Sequence, residues 1–450
     1  MTRLFGTDGI RGVANEEPLT PERVYRVGRQ LAATLCEQRP VERARIVIGR
    51  DTRRSGPLLE SALVAGALSA GADCFSVGVL PTPGIAFMTR ALGADGGVVL
   101  SASHNPFEDN GIKLFSSEGT KFPNAWEDEI EKRLSGADTA PLAHGAGIGR
   151  LVVYRRAESE YGAFLRRCFP LDLSGLTIVL DCAHGATYRV APQVFRALGA
   201  RVVTVCARPD GTNINRGCGA LHPDALVALA CAARADIGLA FDGDGDRLIA
   251  VDSTGAIRDG DFALAITARH LSRAGRLKGN VVVTTVMANL GLDQSLAAAG
   301  IGIVKTQVGD RYVYEEMQRI GANLGGEQSG HLLILDHALA GDGILSGLQL
   351  LAVMRETGES LASLSQCLTK SPQVLVNVPV RVKPPIESVA GLSERVDAFQ
   401  SDMNGVGRIL IRYSGTEALA RVMIEGPDRE RISAMAAELA DLIRRSIGAT

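Results

Sequence analysis

The sequence predicts an α/β protein with three similar mixed α/β domains and a smaller C-terminal α+β domain. Its 450 residues are enough for about three or four domains of ordinary size. One pattern occurs three times: an apolar strand, a helix that ends in glycine, a second strand, another helix, and a third strand that opens into a polar loop. Strands that alternate with helices indicate mixed or parallel sheets, whereas the C-terminal segment has the pattern of an antiparallel sheet with one long helix.

The strands of the three repeats occupy corresponding positions. A glycine follows each Ala-rich helical stretch, which is typical of a helix C-cap, and the second strand of the repeat begins there. Because α/β proteins tend to bind ligands at the ends of their strands, the loops after the third strands are candidate sites. The predicted first strands are 45–48, 177–180 and 281–284, the second strands 71–77, 199–205 and 300–304, and the third strands 97–100, 237–240 and 322–324.

These elements divide the chain into four predicted domains. In the last of them, 374–380 and 408–411 are predicted as strands of an antiparallel sheet, and 430–447 as a helix. The predicted domains are residues 1–152, 153–254, 255–368 and 369–450.

The composition is that of an ordinary globular protein. Hydrophobic residues make up 46% and charged residues 22%, which excludes a disordered chain. The formal charge of −2 indicates no polyanion-binding surface, so no nucleic-acid partner is expected. No apolar stretch is long enough to cross a bilayer, and the first residues lack signal-peptide features, so a cytoplasmic protein without a membrane partner is expected. The eight cysteines form no CxxC pair and are expected to be buried, reduced thiols.

Three carboxylates alternate with two glycines directly after the third strand of the second repeat. Asp242, Asp244 and Asp246 point to one side of an extended backbone, and the glycines let the chain curl until their oxygens converge. Such charges repel one another unless a cation lies between them, and hard oxygen ligands favour Mg²⁺ over zinc or copper. An EF-hand is excluded because Arg247 and Ser253 stand where Gly and Glu are required. A solvated acidic turn is the alternative.

The first repeat ends in a loop that contains Ser101, Ser103, His104 and Asn105, and Lys113 follows it. These residues could simply make a turn, since Ser, Asn and Pro are turn formers. A hydrolase is poorly supported, because no Gly-x-Ser-x-Gly elbow is present and adjacent Ser and His do not in themselves form a dyad. A serine that faces a Mg²⁺ site suggests instead a hydroxyl that carries a phosphoryl group.

The remaining polar loops have the composition of sugar- and phosphate-binding loops. Segment 325–331 places a carboxylate, an amide and a hydroxyl among glycines, which suits vicinal sugar hydroxyls, although a connecting loop would look much the same. Segment 412–416, with Arg421 beyond it, combines hydroxyls, a glycine and guanidiniums as in a phosphate cradle; a polar hairpin turn is the alternative. Arg11 lies on a Gly-rich N-terminal segment, which is either a tight turn or a place where an anion could approach.

Taken in order, these loops resemble those of the α-D-phosphohexomutase superfamily over essentially the whole chain. The phosphoserine, metal, sugar and phosphate loops of the superfamily look like segments 101–106, 242–247, 327–331 and 412–416. Within the superfamily, segments 6–12 and 326–331 are most similar to bacterial phosphoglucosamine mutases. Phosphomannomutase/phosphoglucomutase members typically carry a different N-terminal motif and a methionine in place of Gln328.

The resemblance implies that glucosamine 6-phosphate and glucosamine 1-phosphate are interconverted, on the route to UDP-N-acetylglucosamine. Phosphorylated Ser103 would donate its phosphoryl group to the sugar O1, and the 1,6-bisphosphate would turn over within a central cleft and return its 6-phosphoryl group. Lys113 and Arg11 would assist proton transfer or stabilise charge, and His104 would orient the serine loop or act as a base. The implied catalytic residues are Ser103, Lys113, Arg11 and His104; the metal ligands Ser103, Asp242, Asp244 and Asp246; and the substrate-binding residues Arg247, Glu327, Ser329, His331, Arg412, Ser414, Gly415, Thr416 and Arg421.

The resemblance also implies cofactors and partners. One Mg²⁺ per chain is expected, with glucosamine 1,6-bisphosphate or glucose 1,6-bisphosphate as activator. The expected partner is a small phosphosugar, and the protein is expected to be a monomer or a homodimer. Two alternatives stay open: a phosphomannomutase/phosphoglucomutase, and a phosphosugar sensor without activity, against which Ser103 and the metal loop argue.

Overall fold

The computed structural model describes residues 4–6, 8–39, 41–136, 140, 142–414 and 418–449. The chain forms two compact units. The larger unit contains the chain up to Val286 together with Ile301–Gln366, and it includes three sheets. The smaller unit contains Met287–Gly300 together with the chain from Cys367 onwards, and it includes the fourth sheet.

The first sheet has six strands and is mixed. Its elements are β1 (Ile10–Val13), α1 (Pro21–Gln38), β2 (Arg45–Arg50), α2 (Gly56–Ser69), β3 (Asp73–Val79), α3 (Thr82–Ala91), β4 (Gly96–Leu100), β5 (Asp109–Ser116), α4 (Asn124–Ser135) and β6 (Leu151–Val153). The strand order is β1-β5-β4-β2-β3-β6. β2 pairs in parallel with β3 and β4, whereas β5 runs antiparallel to β4 and β1. The apolar run of β4 is buried at every residue, as expected for a central strand.

The second sheet repeats this arrangement with five strands. Its elements are α5 (Ala157–Cys168), β7 (Thr177–Asp181), α6 (Val190–Ala197), β8 (Arg201–Val205), α7 (Asp224–Ala233), β9 (Ile237–Phe241), β10 (Leu248–Asp252) and β11 (Ile257–Arg258). The strand order is β11-β10-β9-β7-β8. β7 is parallel to both β8 and β9, and β10 is antiparallel to β9.

The third sheet has four strands in the order β13-β12-β14-β15. The elements of this part of the chain are α8 (Gly260–Arg273), β12 (Val281–Thr285), α9 (Leu290–Ala298), β13 (Gly302–Thr306), α10 (Asp310–Ile320), β14 (Leu324–Gly326), β15 (Leu332–Ile334), α11 (Gly343–Thr357) and α12 (Leu361–Leu364). The third strand of this repeat begins two residues later than the predicted 322–324. The ladder begins at Leu324, opposite Ile334. The side chain of Asn323 accepts from the backbone N–H of Lys278 and donates to Asp336.

All three sheets share one feature that positions the site. The third strand of each repeat turns back into an antiparallel partner, so that β4 is followed by β5, β9 by β10, and β14 by β15. The three polar loops singled out in the sequence are the connections between these partners. The prediction of three mixed α/β domains is therefore confirmed.

The smaller unit is built on a three-stranded antiparallel sheet. Its elements after α9 are β16 (Gln373–Pro379), α13 (Leu392–Asp402), β17 (Arg408–Tyr413), β18 (Leu419–Glu425) and α14 (Arg429–Ile447), and the strand order is β16-β18-β17. The apolar face of α14, including Ile432, Leu439 and Ile443, belongs to the core of this unit. The prediction of a smaller α+β domain is thus confirmed.

Helix α9 belongs to the smaller unit although it lies in the middle of the chain. The side-chain amide of Asn289, the N-cap of α9, donates to Glu425 Oε1 at 2.9 Å. Glu425 is fully buried and also accepts from Arg408 Nη2 at 2.6 Å. Ser295 Oγ donates to the carbonyl of Cys367 at 2.6 Å. The smaller unit is therefore assembled from two separate segments of the chain.

Two expectations about the whole chain can be compared with the structure. Within the described ranges, no helix combines the length and the apolar composition that a membrane span needs. All eight cysteines are free thiols, as expected. The expectation that they are buried is confirmed for Cys74, Cys182 and Cys218. It is wrong for the other five: Cys231 is exposed on an outward face of α7, and the half-buried ones are Cys36, Cys168, Cys206 and Cys367.

Candidate active site

Ser103 lies at the centre of the loop between β4 and β5. It is almost completely buried and has a φ of 52°, a left-handed conformation that is uncommon for a residue other than glycine. Its backbone N–H donates to Ser101 Oγ at 2.9 Å, and its hydroxyl donates to Asp242 Oδ2 at 2.5 Å. The structure therefore brings the predicted phosphoserine and the predicted metal loop into direct contact.

The carbonyl groups of the Ser103 loop are held by a buried arginine that the sequence did not single out. Arg53 is 1% exposed; its Nη2 donates to the carbonyls of Ser103 and Asn105 at 3.0 and 2.9 Å. Its Nη1 donates to the carbonyls of Pro106 and Asp109, and its Nε to Asp51. All five guanidinium N–H groups are thus used, and the fork geometry fixes the shape of the loop.

The three aspartates between β9 and β10 converge as predicted. Asp242, Asp244 and Asp246 are buried, and each offers a carboxylate oxygen within 4.8 Å of the others. The glycines between them are needed for this approach. A Cβ on Gly243 would lie 2.5 Å from the carbonyl oxygen of Ser103, and Gly245 has a φ of 74°.

The donor set fits a divalent cation. Burial and the neighbouring charges of Asp246 and Asp244 raise the pKa of Asp242 well above its usual range, which reflects the cost of keeping these charges together. Within the described part of the chain, Asp244 Oδ1 and Asp246 Oδ1 are buried and have no hydrogen-bond partner. Buried carboxylate oxygens without a donor are the ligands that a hard cation requires, so this loop is a divalent-metal site.

A closed ring of alternating charges joins the metal loop to Lys113, on β5. Neighbouring nitrogen and oxygen atoms around the ring are 2.6–3.8 Å apart. All members of the ring line one cavity. In order, they are Asp246, Lys113, Asp8, Lys121, Asp310 and His331.

The ring sets the charge state of its members. Burial disfavours the charged form of Lys113, but Asp244, Asp8 and Asp246 outweigh it and raise its pKa well above the usual range. Burial likewise opposes the charge on His331, whereas Asp246 and Asp310 raise its pKa to about 9. The neighbouring carboxylates therefore favour the cationic form of both side chains.

Three members of the ring were not predicted as site residues, namely Asp8, Lys121 and Asp310. The only signal for Asp8 is its place in the glycine-rich segment 6–12. Lys121 and Asp310 are 189 positions apart and form an ion pair of 2.6 Å, which no local pattern reveals. Such partners become visible only when the first and third sheets are folded.

Arg11 contacts the serine loop, and His104 is part of it. Arg11 is on β1, forms an ion pair with Asp8, and donates from Nη1 to Asn105 Oδ1 at 3.5 Å. His104 Nδ1 lies 3.4 Å from Ser103 Oγ. Burial, together with Arg247 and Arg11, lowers the pKa of His104 to about 4, so its imidazole is neutral at physiological pH.

The predicted sugar loop lies beside the metal loop. Glu327 Oε1 accepts from the backbone N–H of Gly309 at 3.1 Å, and burial together with Asp310 raises its pKa. Ser329 is half-buried in the same loop. The backbone N–H of Arg247 donates to Asp242 Oδ1 at 3.1 Å, and burial of this arginine is offset by Asp246 and Asp242, which raise its pKa.

The predicted phosphate loop is in the smaller unit. Arg412 on β17 stands directly opposite Arg421 on β18. Like charges in such a pair are unfavourable in a sheet unless an anion compensates them. Ser414 is buried, and its carbonyl accepts from Lys383 Nζ at 2.7 Å. Gly415 and Thr416 lie outside the described residues.

Comparison with known proteins identifies the family. Models of the phosphoglucomutase/phosphomannomutase α/β/α domains I, II and III match residues 2–140, 160–255 and 259–371, and that of the C-terminal domain matches 375–442. The phosphoglucosamine mutase of Syntrophotalea carbinolica is 50% identical, over 99% of this chain and 98% of its own. That of Pelobacter propionicus is 51% identical, over 100% of this chain and 99% of its own.

A solved structure supports the same family. A phosphoglucomutase/phosphomannomutase family protein from Burkholderia thailandensis matches with a TM-score of 0.81 and 26% identity, over 99% of this chain and 98% of that chain. The resemblance that the motifs indicated is thereby confirmed. The chain belongs to the phosphoglucomutase/phosphomannomutase family, within the α-D-phosphohexomutase superfamily.

Proposed function

We propose that this protein is a phosphoglucosamine mutase, which interconverts glucosamine 6-phosphate and glucosamine 1-phosphate. The relatives that are about half identical over their whole length carry this name. The observation that carries the proposal in the structure is the contact between the Ser103 hydroxyl and Asp242, which belongs to a buried carboxylate triad. A hydroxyl so placed is suited to carry a phosphoryl group next to a cation.

The proposed cycle begins with phosphorylated Ser103. The sugar O1 attacks the phosphorus and gives up its proton, and the bond from phosphorus to Ser103 Oγ breaks. Ser103 Oγ takes up one proton in exchange, so that glucosamine 1,6-bisphosphate and the free serine are formed. After the bisphosphate turns over, its 6-phosphoryl group returns to Ser103 and glucosamine 1-phosphate is released. Added glucosamine 1,6-bisphosphate or glucose 1,6-bisphosphate would activate the enzyme by restoring the phosphoserine.

We propose Mg²⁺ as the resident cation. Asp242, Asp244 and Asp246 would hold it, with an oxygen of phosphorylated Ser103 as a further ligand. The all-oxygen donor set supports Mg²⁺ over softer metals. When bound, it supplies neutralisation of the negative charge on the phosphoryl oxygens.

Three side chains near Ser103 are assigned different roles. Lys113 is held in its charged form by three carboxylates, which supports charge stabilisation or proton donation rather than a role as base. His104 is neutral and 3.4 Å from Ser103 Oγ, which suits it to orient the serine loop or to accept a proton. Arg11 is assigned to stabilise developing charge, because it reaches the serine loop through Asn105.

The substrate contacts are proposed in two groups. Glu327, Ser329 and His331 would bind the sugar hydroxyls, and Arg247 would contact the substrate beside the metal loop. Arg412 and Arg421, with Ser414, Gly415 and Thr416, would bind a phosphate group. In this scheme the four predicted domains, 1–152, 153–254, 255–368 and 369–450, supply the phosphoserine, the metal ligands, the sugar contacts and the phosphate contacts, respectively.

The proposal includes a cellular setting and leaves one rival function. The product would enter UDP-N-acetylglucosamine synthesis, and we propose that the protein works in the cytoplasm as a monomer or homodimer, on a small phosphosugar and without a nucleic-acid or membrane partner. A phosphomannomutase/phosphoglucomutase is the rival, because the family models cover both activities. A sensor without activity is disfavoured by the buried contact between Ser103 and Asp242.

One assay distinguishes these functions. Glucosamine 6-phosphate, glucose 6-phosphate and mannose 6-phosphate are supplied separately with Mg²⁺ and a trace of the bisphosphate, and formation of each 1-phosphate is followed. We expect the highest kcat/KM with the amino sugar, and none with Ser103→Ala. A higher kcat/KM with glucose or mannose phosphate would assign the rival function, and no turnover of any sugar would leave only the sensor.

A further inference from the structure

A second cluster of metal-ligating side chains lies in the second sheet, apart from the aspartate triad. His184, Cys206 and Cys218 each offer one ligand atom, and these atoms all lie within 4.8 Å of one another. His184 follows β7, Cys206 follows β8 directly, and Cys218 precedes α7. Because β7 and β8 are parallel neighbours, their carboxyl ends bring the first two residues together.

The backbone around the cluster is held in place by hydrogen bonds. The His184 N–H donates to the Cys206 carbonyl at 2.5 Å. The buried carboxylate of Asp181 accepts from the N–H groups of Ala183 at 2.9 Å and Gly219 at 2.8 Å, which are the neighbours of His184 and Cys218. One carboxylate thus braces two of the segments that carry the cluster, an arrangement that supports metal sites in proteins.

The spacing of the ligand atoms suits a tetrahedral cation. With metal–sulfur bonds of about 2.3 Å and metal–nitrogen bonds of about 2.0 Å, ligand atoms around one zinc ion lie roughly 3.5–3.8 Å apart. The ligand atoms of the cluster lie within 4.8 Å of one another, so small side-chain movements bring them to that range. Three protein ligands leave a fourth position for water, and two of the three side chains, His184 and Cys206, are half-buried, so a cation can reach them.

We infer that His184, Cys206 and Cys218 form a second metal site, selective for a thiophilic divalent cation of the zinc class. Two thiolates and an imidazole favour such a cation over Mg²⁺, whereas the aspartate triad has the opposite preference. Binding releases the protons of the two thiols. The Nδ1 of His184 accepts a hydrogen bond from the Arg208 N–H at 3.2 Å, which orients the imidazole.

The proposed second metal site is connected to the serine loop through Asn215. Asn215 lies between Cys206 and Cys218 in the chain, and its side-chain amide donates to the carbonyls of Ser103 at 2.8 Å and Asn105 at 3.0 Å. A cation that ties Cys206 to Cys218 therefore restrains the segment that holds the serine loop.

Cobalt(II) is the probe that separates the two sites. The full-length protein is reduced with a phosphine, placed in excess Mg²⁺, and titrated with Co²⁺ while near-ultraviolet absorption is recorded. We expect a sulfur-to-cobalt charge-transfer band that saturates at about one equivalent, resists Mg²⁺ and is displaced by Zn²⁺. Cobalt at the aspartate triad produces no such band, because that site has no sulfur. The apparent affinity should rise steeply with pH, since thiol protons are released.

Variants assign the band to the cluster. Cys206→Ser and Cys218→Ser each remove one thiolate, so each should weaken the charge-transfer band and reduce the affinity for Co²⁺ at least tenfold. His184→Ala should reduce the affinity for Co²⁺ while a charge-transfer band remains. Cys231→Ser is the matched control, because Cys231 is exposed on α7 and outside the cluster. Circular dichroism establishes that each variant is folded, and Cys206, which is half-buried, is the more tolerant position.

Three results would overturn the inference. They are the absence of a band in the reduced wild-type protein, an undiminished band in folded Cys206→Ser, and equal loss of the band in Cys231→Ser. A Cys206–Cys218 disulfide that re-forms in air, in a protein whose reduced form takes up no cobalt, would show a redox pair instead of a metal site.

Discussion

At the scale of single residues, the backbone of Ser103 is fixed by contacts from three other residues. Its left-handed backbone conformation is fixed on one side by Ser101 and on the other by Arg53 and Asn215. The hydroxyl is thereby aimed at Asp242 before any substrate arrives. Such pre-organisation avoids reorganisation during the reaction.

If Ser103 carries the transferred phosphoryl group, Ser103→Ala should abolish mutase turnover while the protein stays folded. Phosphopeptide mapping of the wild type should find about 80 Da of added mass, one phosphate group, on the fragment with Ser103. Ser101→Ala is the control: it removes the acceptor of the Ser103 N–H and the donor to Asp51 but leaves the Ser103 hydroxyl in place, and it should reduce kcat by roughly tenfold. Full activity of Ser103→Ala would end the phosphoserine mechanism.

The second prediction at this scale concerns His104 and pH. Its pKa of about 4 in the folded protein lies below the value of about 6.5 in an unfolded chain, so the unfolded chain binds more protons between these values. The contribution of His104 to stability is therefore present above pH ~6.5 and is lost as the pH falls towards 4. A bound cation in the triad would lower this pKa further, so the direction holds with or without metal.

On acidification from about pH 7.5 to about pH 5, wild-type protein should lose about 1–2 kcal/mol more stability than His104→Gln. Urea unfolding at the two pH values measures the difference. His144→Gln, at an exposed position, should behave like the wild type. Equal losses in wild type and His104→Gln would show that the imidazole titrates normally in the folded state.

At the scale of elements, the serine loop depends on a residue from another loop, the one after β2. Arg53→Lys would replace five donors in a fixed fork by three on one nitrogen, and leave buried carbonyls without partners. We expect a loss of about 2–4 kcal/mol in stability and a lower kcat, with little change in KM. Arg54→Lys is the neighbouring, exposed control. Unchanged urea midpoint and kcat in Arg53→Lys would contradict this view of the loop.

The metal loop gives the next prediction. EDTA should stop turnover and Mg²⁺ should restore it. Asp244→Asn removes one charge at nearly constant volume, so it should raise the Mg²⁺ concentration for half-maximal rate by at least roughly tenfold. Asp224→Asn, an exposed position on α7 of the same sheet, should leave that concentration unchanged. A rate that survives chelation would make the triad a structural loop.

The sequence revealed the parallel strands of each sheet but not their antiparallel partners. The central strands are short, continuous apolar runs, such as Gly96–Leu100 and Ile237–Phe241, and their length and alternation with helical segments identify them in the sequence. β5 begins with Asp109, Asn110 and Gly111, which in a sequence indicate a turn; long-range pairing with β4 overrides that local preference. Because each third strand pairs with the antiparallel strand that follows it, the polar loop between the two strands is short.

The sequence predicts those site residues that stand in short local motifs. The aspartate triad and Ser103 stand in short motifs, whereas Arg53 resembles any surface arginine until its burial is known. The alternation of carboxylates and cations in the ring depends on pairs such as Lys121 and Asp310, which are distant in the chain. Electrostatic partnership of this kind is a property of the fold and not of any segment.

At the scale of the whole molecule, substrate binding is proposed to draw on the smaller unit as well. Arg412→Lys would keep the charge but lose the two-pronged geometry that fits phosphate oxygens. We expect KM for the sugar phosphate to rise roughly tenfold, the equivalent of ~1.4 kcal/mol, with a stronger dependence on added bisphosphate. Steady-state kinetics on this variant and on Arg429→Lys, an exposed control in α14, measure the effect. Wild-type constants in Arg412→Lys would leave Arg412 without a part in binding.

Helix α9 has a consequence for how this chain can be recombined. The family model of the C-terminal domain begins at residue 375, so a gene cassette cut there would leave α9 behind. The transplanted module would lack the amide of Asn289, and the carboxylate of Glu425 would be left to Arg408 alone among these partners. Chimaeras between relatives therefore need to exchange residues 287–300 and 367–450 together, because these two separate segments of the gene encode one folded unit.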